Sequence, residues 1–137
     1  MNNELKLLNL AQKARENAYA PYSGFKVGVA LLTVNGKVFC GCNVENASYP
    51  CGTCAEAGAI AAMICGGGDK ISEILVLADC EKILPCGNCL QKIAEFSFEN
   101  TIIYSANLKK VVQKCKLSDL LPQNFSAKDI DHVGKIF

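Results

Sequence analysis

The sequence predicts an α/β fold, on three observations. Strand-like runs alternate with helical ones, Asn35-Gly36 joins the first two strands, and Ile71 to Ala78 is apolar enough to be covered on both faces. From Asn3 to Tyr19, Leu5, Leu8, Ala11, Arg15 and Ala18 recur at helical spacing with charges between, and Ala20-Pro21-Tyr22-Ser23-Gly24 ends the helix in a turn. Val27 to Val34 and Lys37 to Gly41 read as a hairpin, because Asn35 and Gly36 both tolerate positive φ. Asn43 to Gly52 is polar and loop-like. Cys54 to Cys65 is rich in alanine and almost free of charge, which predicts a helix buried on most sides and stopped by Gly66-Gly67-Gly68. After the Ile71 strand, Cys86 to Phe96 places Leu90, Ile93 and Ala94 on one helical face. Thr101 to Ser105 and Lys110 to Lys114 supply two more strands, and the tail from Leu117 is turn-rich. With no internal repeat and no linker, residues 1–137 read as a single domain.

Half of the 137 residues are hydrophobic and 20% are charged, the balance of a globular chain that buries its own core. The formal charge is +1, from 14 basic and 13 acidic residues, so there is no electrostatic footprint for a phosphate backbone and no nucleic-acid partner is expected. No apolar run approaches the roughly 20 residues of a membrane span. Met1-Asn2-Asn3-Glu4 lacks the basic start of a secretory signal, so the expected place is the cytoplasm, away from membranes. Nine cysteines, an odd number without an export signal, argue for thiols rather than a disulfide framework. Cys40, Cys80 and Cys115 sit in strand-like apolar runs and read as small buried hydrophobes. The chemistry then concentrates around Cys54 and Cys86.

Cys86-Gly87-Asn88-Cys89 is a Cys-x-x-Cys pair opening a helix, a spacing that suits one tetrahedral zinc. Cys54-Ala55-Glu56 offers a third thiolate with a carboxylate two residues on. Three protein ligands leave a fourth zinc position for water, whose pKa then falls to about 7. A neighbouring carboxylate can carry the proton of that water. The residues alone leave other arrangements open. Cys51 and Cys54 also form a Cys-x-x-Cys, so Cys51, Cys54, Cys86 and Cys89 can make a closed structural site. Either pair can be a redox dithiol. Glu56 can be an ordinary first-turn glutamate. It is, however, the only charged side chain between Cys54 and Gly68, and a lone charge in so apolar a helix requires a partner or a task.

The chain resembles the small cytidine deaminases, a homotetrameric zinc-dependent family of nucleoside salvage. The motifs that carry the likeness are Ala20-Pro21-Tyr22-Ser23-Gly24-Phe25-Lys26-Val27-Gly28, Gly41-Cys42-Asn43-Val44-Glu45-Asn46-Ala47-Ser48-Tyr49, Cys54-Ala55-Glu56 and Pro85-Cys86-Gly87-Asn88-Cys89. Leu120-Leu121-Pro122 and Phe125-Ser126 extend it into the tail. The resemblance implies a three-layer α/β/α sandwich around a mixed five-stranded sheet. It implies one zinc ion per chain on Cys54, Cys86 and Cys89, with Glu56 as proton shuttle and Cys51 a bystander. Asn43 and Glu45 correspond to the pair that binds ribose, Phe25 to an aromatic at the pyrimidine pocket, and Phe125 to one that reaches a neighbouring subunit's site. Ala55, with Cys54, corresponds to a backbone contact to the base. The implied reaction is hydrolytic deamination of cytidine and deoxycytidine to uridine and deoxyuridine, with attack at C4 and release of ammonia. The implied partners are a small nucleoside and three further copies of the chain.

Two departures from the family pattern bear on charge. Ala57 and Leu90 stand where arginines are usual, and the sole arginine, Arg15, lies in the first helix. Three thiolates on Zn²⁺ leave a net negative site that those arginines ordinarily offset. Here the offset is expected from helix ends, backbone amides or a lysine. Pro50 is a further local change, and no role is read for His132.

Overall fold

The computed structural model describes residues 2–130. Met1 and residues 131–137, His132 among them, lie outside the described residues, so the end of the expected single domain does too.

The elements run α1 (Asn3–Glu16), β1 (Val27–Thr33), β2 (Val38–Cys42), α2 (Ala55–Cys65), β3 (Ile71–Ala78), α3 (Gly87–Glu95), β4 (Ser97–Ala106), β5 (Val111–Lys116) and α4 (Leu117–Leu120), with 3-10 turns at Tyr49–Cys51 and Ala127–Asp129. The five strands form one sheet in the order β2-β1-β3-β4-β5. Only β3 and β4 are parallel, joined by the crossover through α3, so the sheet is mixed.

Strand β3 at the centre explains the layers. Its residues alternate between the two faces. Ile74 and Val76 enter one core with Ala59, Ile60 and Met63 of α2 and Ile93 of α3. Leu75 and Leu77 enter the other with Leu7, Leu8 and Ala11 of α1. A strand buried on both faces reads as a continuous apolar run, and each such Leu or Ile contributes about 1.5–3 kcal/mol. The α/β sandwich expected from the sequence is therefore the fold observed.

Several local expectations are revised. The exposed side of α1 carries Leu5, 47% accessible, while the buried stripe is Leu7, Leu8 and Ala11. The helix also stops at Glu16, because Tyr19 leaves it to pair with Val44. In the β1–β2 turn only Gly36 has positive φ, at 88°, and Asn35 does not. The Gly36 N–H donates to the Thr33 carbonyl at 3.0 Å and the Thr33 N–H to the Lys37 carbonyl at 2.8 Å. That is a three-residue turn with a glycine bulge, its Thr33 hydroxyl accepting the Lys37 N–H, rather than a two-residue turn. Cys40, Cys80 and Cys115 are only partly buried, and Cys80 lies beyond the end of β3. The fully enclosed cysteine is Cys89.

Two glycines set the spacing between layers. A Cβ on Gly28 would stand 2.0 Å from the Ala11 carbonyl oxygen, and one on Gly41 would stand 2.4 Å from both the Ala55 carbonyl oxygen and the Ala59 nitrogen. The backbones of α1 and α2 thus lie directly on β1 and β2. The glycine run after α2 forms a Schellman close, with Gly68 N–H donating to Met63 and Gly67 N–H to Ile64.

Candidate active site

The site begins with three segments far apart in sequence. Val44 pairs with Tyr19 on one side and Thr53 on the other. Its N–H donates to the Thr53 carbonyl at 2.9 Å, and its carbonyl accepts the Thr53 N–H in return at 2.8 Å. The Glu45 N–H donates to the Tyr19 carbonyl at 2.8 Å. This narrow ladder sets Asn43 and Glu45 beside the turn at Tyr22-Ser23 and leads directly into Cys54.

Cys54 is the N-cap of α2 and Cys86 the N-cap of α3, both with extended backbone. No side-chain capping bond ties either sulphur. Helix starts favour thiolates, because the orphan N–H groups and the positive helix end face them. α2 and α3 pack side by side. The first turn of α2 buries Ala55 and Glu56, and that of α3 buries Cys89, while Cys54 and Cys86 stay exposed.

Glu56 is only 6% accessible, and that burial pushes its carboxyl above the usual carboxylate range. Its own N–H, the Cys89 thiol and the Lys92 charge act in the opposite direction. The Cys89 thiol is raised by burial first, then by Glu56, Cys54 and Cys86. Three thiols and a carboxylate therefore share one locality, and Cys51 is not among the groups that act on Cys89. The Cys51 thiol instead turns to the Ser48 hydroxyl at 3.5 Å. Among the described residues no three histidine, cysteine, aspartate or glutamate side chains are drawn tightly enough to form a finished metal cage. The donor chemistry nevertheless suits zinc. Mutually repelling thiolates at two helix starts call for a divalent cation between them, and sulphur is a preferred zinc ligand.

The family's arginine positions are filled without charge. Leu90 is packed into the core and Ala57 is half-buried. Arg15 is spent elsewhere, its Nε donating to the Lys26 carbonyl at 3.1 Å. Lys92 on α3 is the cation that acts on Glu56.

The second half of the site surrounds Glu45. Its Oε1 accepts from the Tyr22 and Ser23 N–H groups at 2.9 and 3.1 Å, and its Oε2 accepts from the Ser23 hydroxyl. These donors, the hydroxyl foremost, hold the Glu45 carboxyl below its ordinary range. Asn43 clasps the adjoining backbone: its Oδ1 accepts from Val27 N–H and its Nδ2 donates to the Phe25 carbonyl, each at 2.8 Å. Each amide atom keeps one further bonding direction, so Asn43 can still meet a ligand. A cavity of about 260 Å³ opens here, lined by Tyr22, Ser23, Glu45, Asn46, Tyr49 and Gly52. Tyr22 and Tyr49 meet edge to face at 5.9 Å beside it.

The structure thus gathers Cys54, Cys86, Cys89, Glu56 and Ala55 at one place, and Asn43 and Glu45 at an adjoining one. Phe25 is tied to this second cluster through its main chain, bonded to Asn43 and Ser23, and both Phe25 and Phe125 are exposed, at 41% and 61%. Gln91 of α3 donates to the Phe125 carbonyl at 2.7 Å, which ties the tail back to the helix that bears Cys89. Sequence reasoning passed over Ser23 and Tyr22 as mere turn residues. Their polar groups inside an otherwise apolar motif were the available signal.

The family model described as the cytidine and deoxycytidylate deaminase zinc-binding region matches residues 1–105. A cytidine deaminase of Sporosarcina psychrophila is 40% identical over 131 residues, covering 95% of this chain and 96% of the relative. One from Halalkalibacterium halodurans is 42% identical over 126 residues, covering 91% and 96%. Among solved structures, a cytidine deaminase from Burkholderia pseudomallei superposes with a TM-score of 0.84 at 41% identity, over 91% of this chain and 100% of that one.

Proposed function

Since the chain belongs to the cytidine and deoxycytidylate deaminase zinc-binding family, we propose that it deaminates cytidine and deoxycytidine hydrolytically to uridine and deoxyuridine, with release of ammonia. The observation that carries this reading is the convergence of Cys54, Cys86, Cys89 and Glu56 at the starts of two packed helices.

Cys54, Cys86 and Cys89 hold one zinc ion. When bound, zinc supplies a water acidic enough to serve as nucleophile near neutral pH. Glu56 would receive one proton of that water and deliver it to N3 of the cytosine, and would then carry the water's other proton to the departing amine, so that both are accounted for in the product and ammonia. A carboxyl raised by burial suits this traffic, since a proton carrier works best with a pKa near the working pH. Asn43 and Glu45 take the sugar hydroxyls, the first as donor and acceptor and the second as acceptor. Phe25 packs on the pyrimidine, and backbone groups of Ala55 contact its edge. Phe125 serves the site of a neighbouring subunit, a role that its exposure in its own chain leaves open. The assembly is a homotetramer of single-domain chains spanning residues 1–137, acting in cytoplasmic pyrimidine salvage.

Free nucleosides rather than polynucleotides are the substrate class, because a chain of net charge +1 offers no electrostatic track for a phosphate backbone. Ultraviolet assay of metal-quantified protein with cytidine and deoxycytidine tests the reading. Loss of the cytidine absorbance at about one zinc per chain is expected. Full zinc loading without turnover of either nucleoside overturns it.

A further inference from the structure

We propose that Ser23 is a positioning residue for the reaction, its hydroxyl aiming the Glu45 carboxylate at the sugar. This rests on the reading that Glu45 contacts the sugar. Three observations carry it. The Ser23 hydroxyl donates to Glu45 Oε2. The Ser23 hydroxyl oxygen in turn accepts the Phe25 N–H at 3.0 Å, which occupies a lone pair and turns the hydroxyl proton toward Glu45. The Ser23 N–H meets the other carboxylate oxygen, Oε1, at 3.1 Å, so one residue grips both oxygens.

The grip matters because Glu45 sits on a loop rather than on a helix or strand. A glutamate on a loop samples several rotamers, and fixing one before the ligand arrives removes that entropic cost from binding. Ser23 itself is held by the turn that precedes Phe25, where Gly24 takes φ 69° and its N–H donates to the Ala20 carbonyl at 2.9 Å. Ser23 also lines the cavity beside Glu45. The hydroxyl, one donor and one acceptor, therefore links the fixed turn to the carboxylate, and the sugar reads the result.

Steady-state kinetics of the zinc-loaded enzyme with cytidine and with 2′,3′-dideoxycytidine, which lacks both ring hydroxyls, test the proposal. Ser23→Ala is expected to raise KM for cytidine about tenfold and to lower kcat less than about threefold. Its KM for the dideoxy substrate should move by less than about threefold. Ser23→Thr, which keeps the hydroxyl, should return KM to within about twofold of wild type. Because Ser23 acts through Glu45, Ser23→Ala with Glu45→Gln should be no worse than Glu45→Gln alone. If Glu45→Gln raises KM for cytidine while Ser23→Ala leaves it unchanged, the role of Ser23 is overturned. Equal losses on both substrates, or a threonine variant as impaired as the alanine one, mark a structural role only and also overturn it. Should Glu45→Gln itself leave KM for cytidine untouched, the sugar contact fails first and the proposal falls with it.

Discussion

Gly41 and Ala55 meet backbone to backbone: a Cβ on the glycine would stand 2.4 Å from the alanine's carbonyl oxygen. The contact presses the first turn of α2 onto β2, and that turn carries Glu56 with Cys54 as its cap.

Gly41→Ala should therefore injure the site as well as the fold. Forcing a methyl into packed backbone costs about 1–3 kcal/mol. Denaturant unfolding should show that loss, and metal analysis should show weaker zinc retention than in wild type. Unchanged stability would mean that α2 moves aside freely.

Glu56→Gln should lower kcat by about 10²–10⁴, the usual contribution of a positioned proton carrier, with zinc content unchanged. The same change should stabilise the metal-free protein above the ordinary carboxylate pKa. The sign follows from the raised carboxyl: the folded state holds that proton more tightly than the unfolded chain. Stability contributed by Glu56 is thus fullest at low pH and declines as pH rises toward the folded-state pKa. Thermal melts across pH 4–9 on the metal-free variant pair check it, and a glutamine variant less stable at neutral pH contradicts the assignment.

Metal stoichiometry separates an open site from a closed one. Cys51→Ser should retain about one zinc per chain, whereas Cys89→Ser should lose it. Parallel loss of zinc in the Cys51 variant would point to four sulphur ligands and a structural ion.

Lys92→Met should move the acidic limb of kcat/KM upward. Lys92 favours the ionised form of Glu56, so its removal raises that carboxyl further and delays its deprotonation to higher pH. Lys92 is exposed, so the displacement should be small and should shrink in high salt. A limb that moves down, or one indifferent to salt, argues against this coupling.

Legibility in the sequence depended on how local each signal was. The Cys-x-x-Cys pair Cys86 and Cys89 can be read directly, since its spacing and the helix it opens lie within a few residues. The central strand Ile71–Ala78 was equally plain, because burial on two faces leaves an unbroken apolar run. By contrast, the Tyr19–Val44–Thr53 pairing consists of isolated bridges between distant residues and leaves no periodicity to detect. On α1 several leucines compete for the buried stripe, and only packing against β3 selects Leu7 and Leu8 and leaves Leu5 exposed. The hairpin was recognised at Asn35-Gly36, but its turn type depended on a bond to Thr33 outside the dipeptide.

Val44 shows what such a ladder asks of variation. Its side chain is 49% accessible, while its N–H and C=O both bond to Thr53. Most side chains can be exchanged there at little cost, yet proline removes the donor and parts the loop that bears Glu45 from the segment leading to Cys54. A saturation scan would record a permissive position with a single forbidden residue. The information at that point resides in the main chain, where comparison of side-chain identities does not register it.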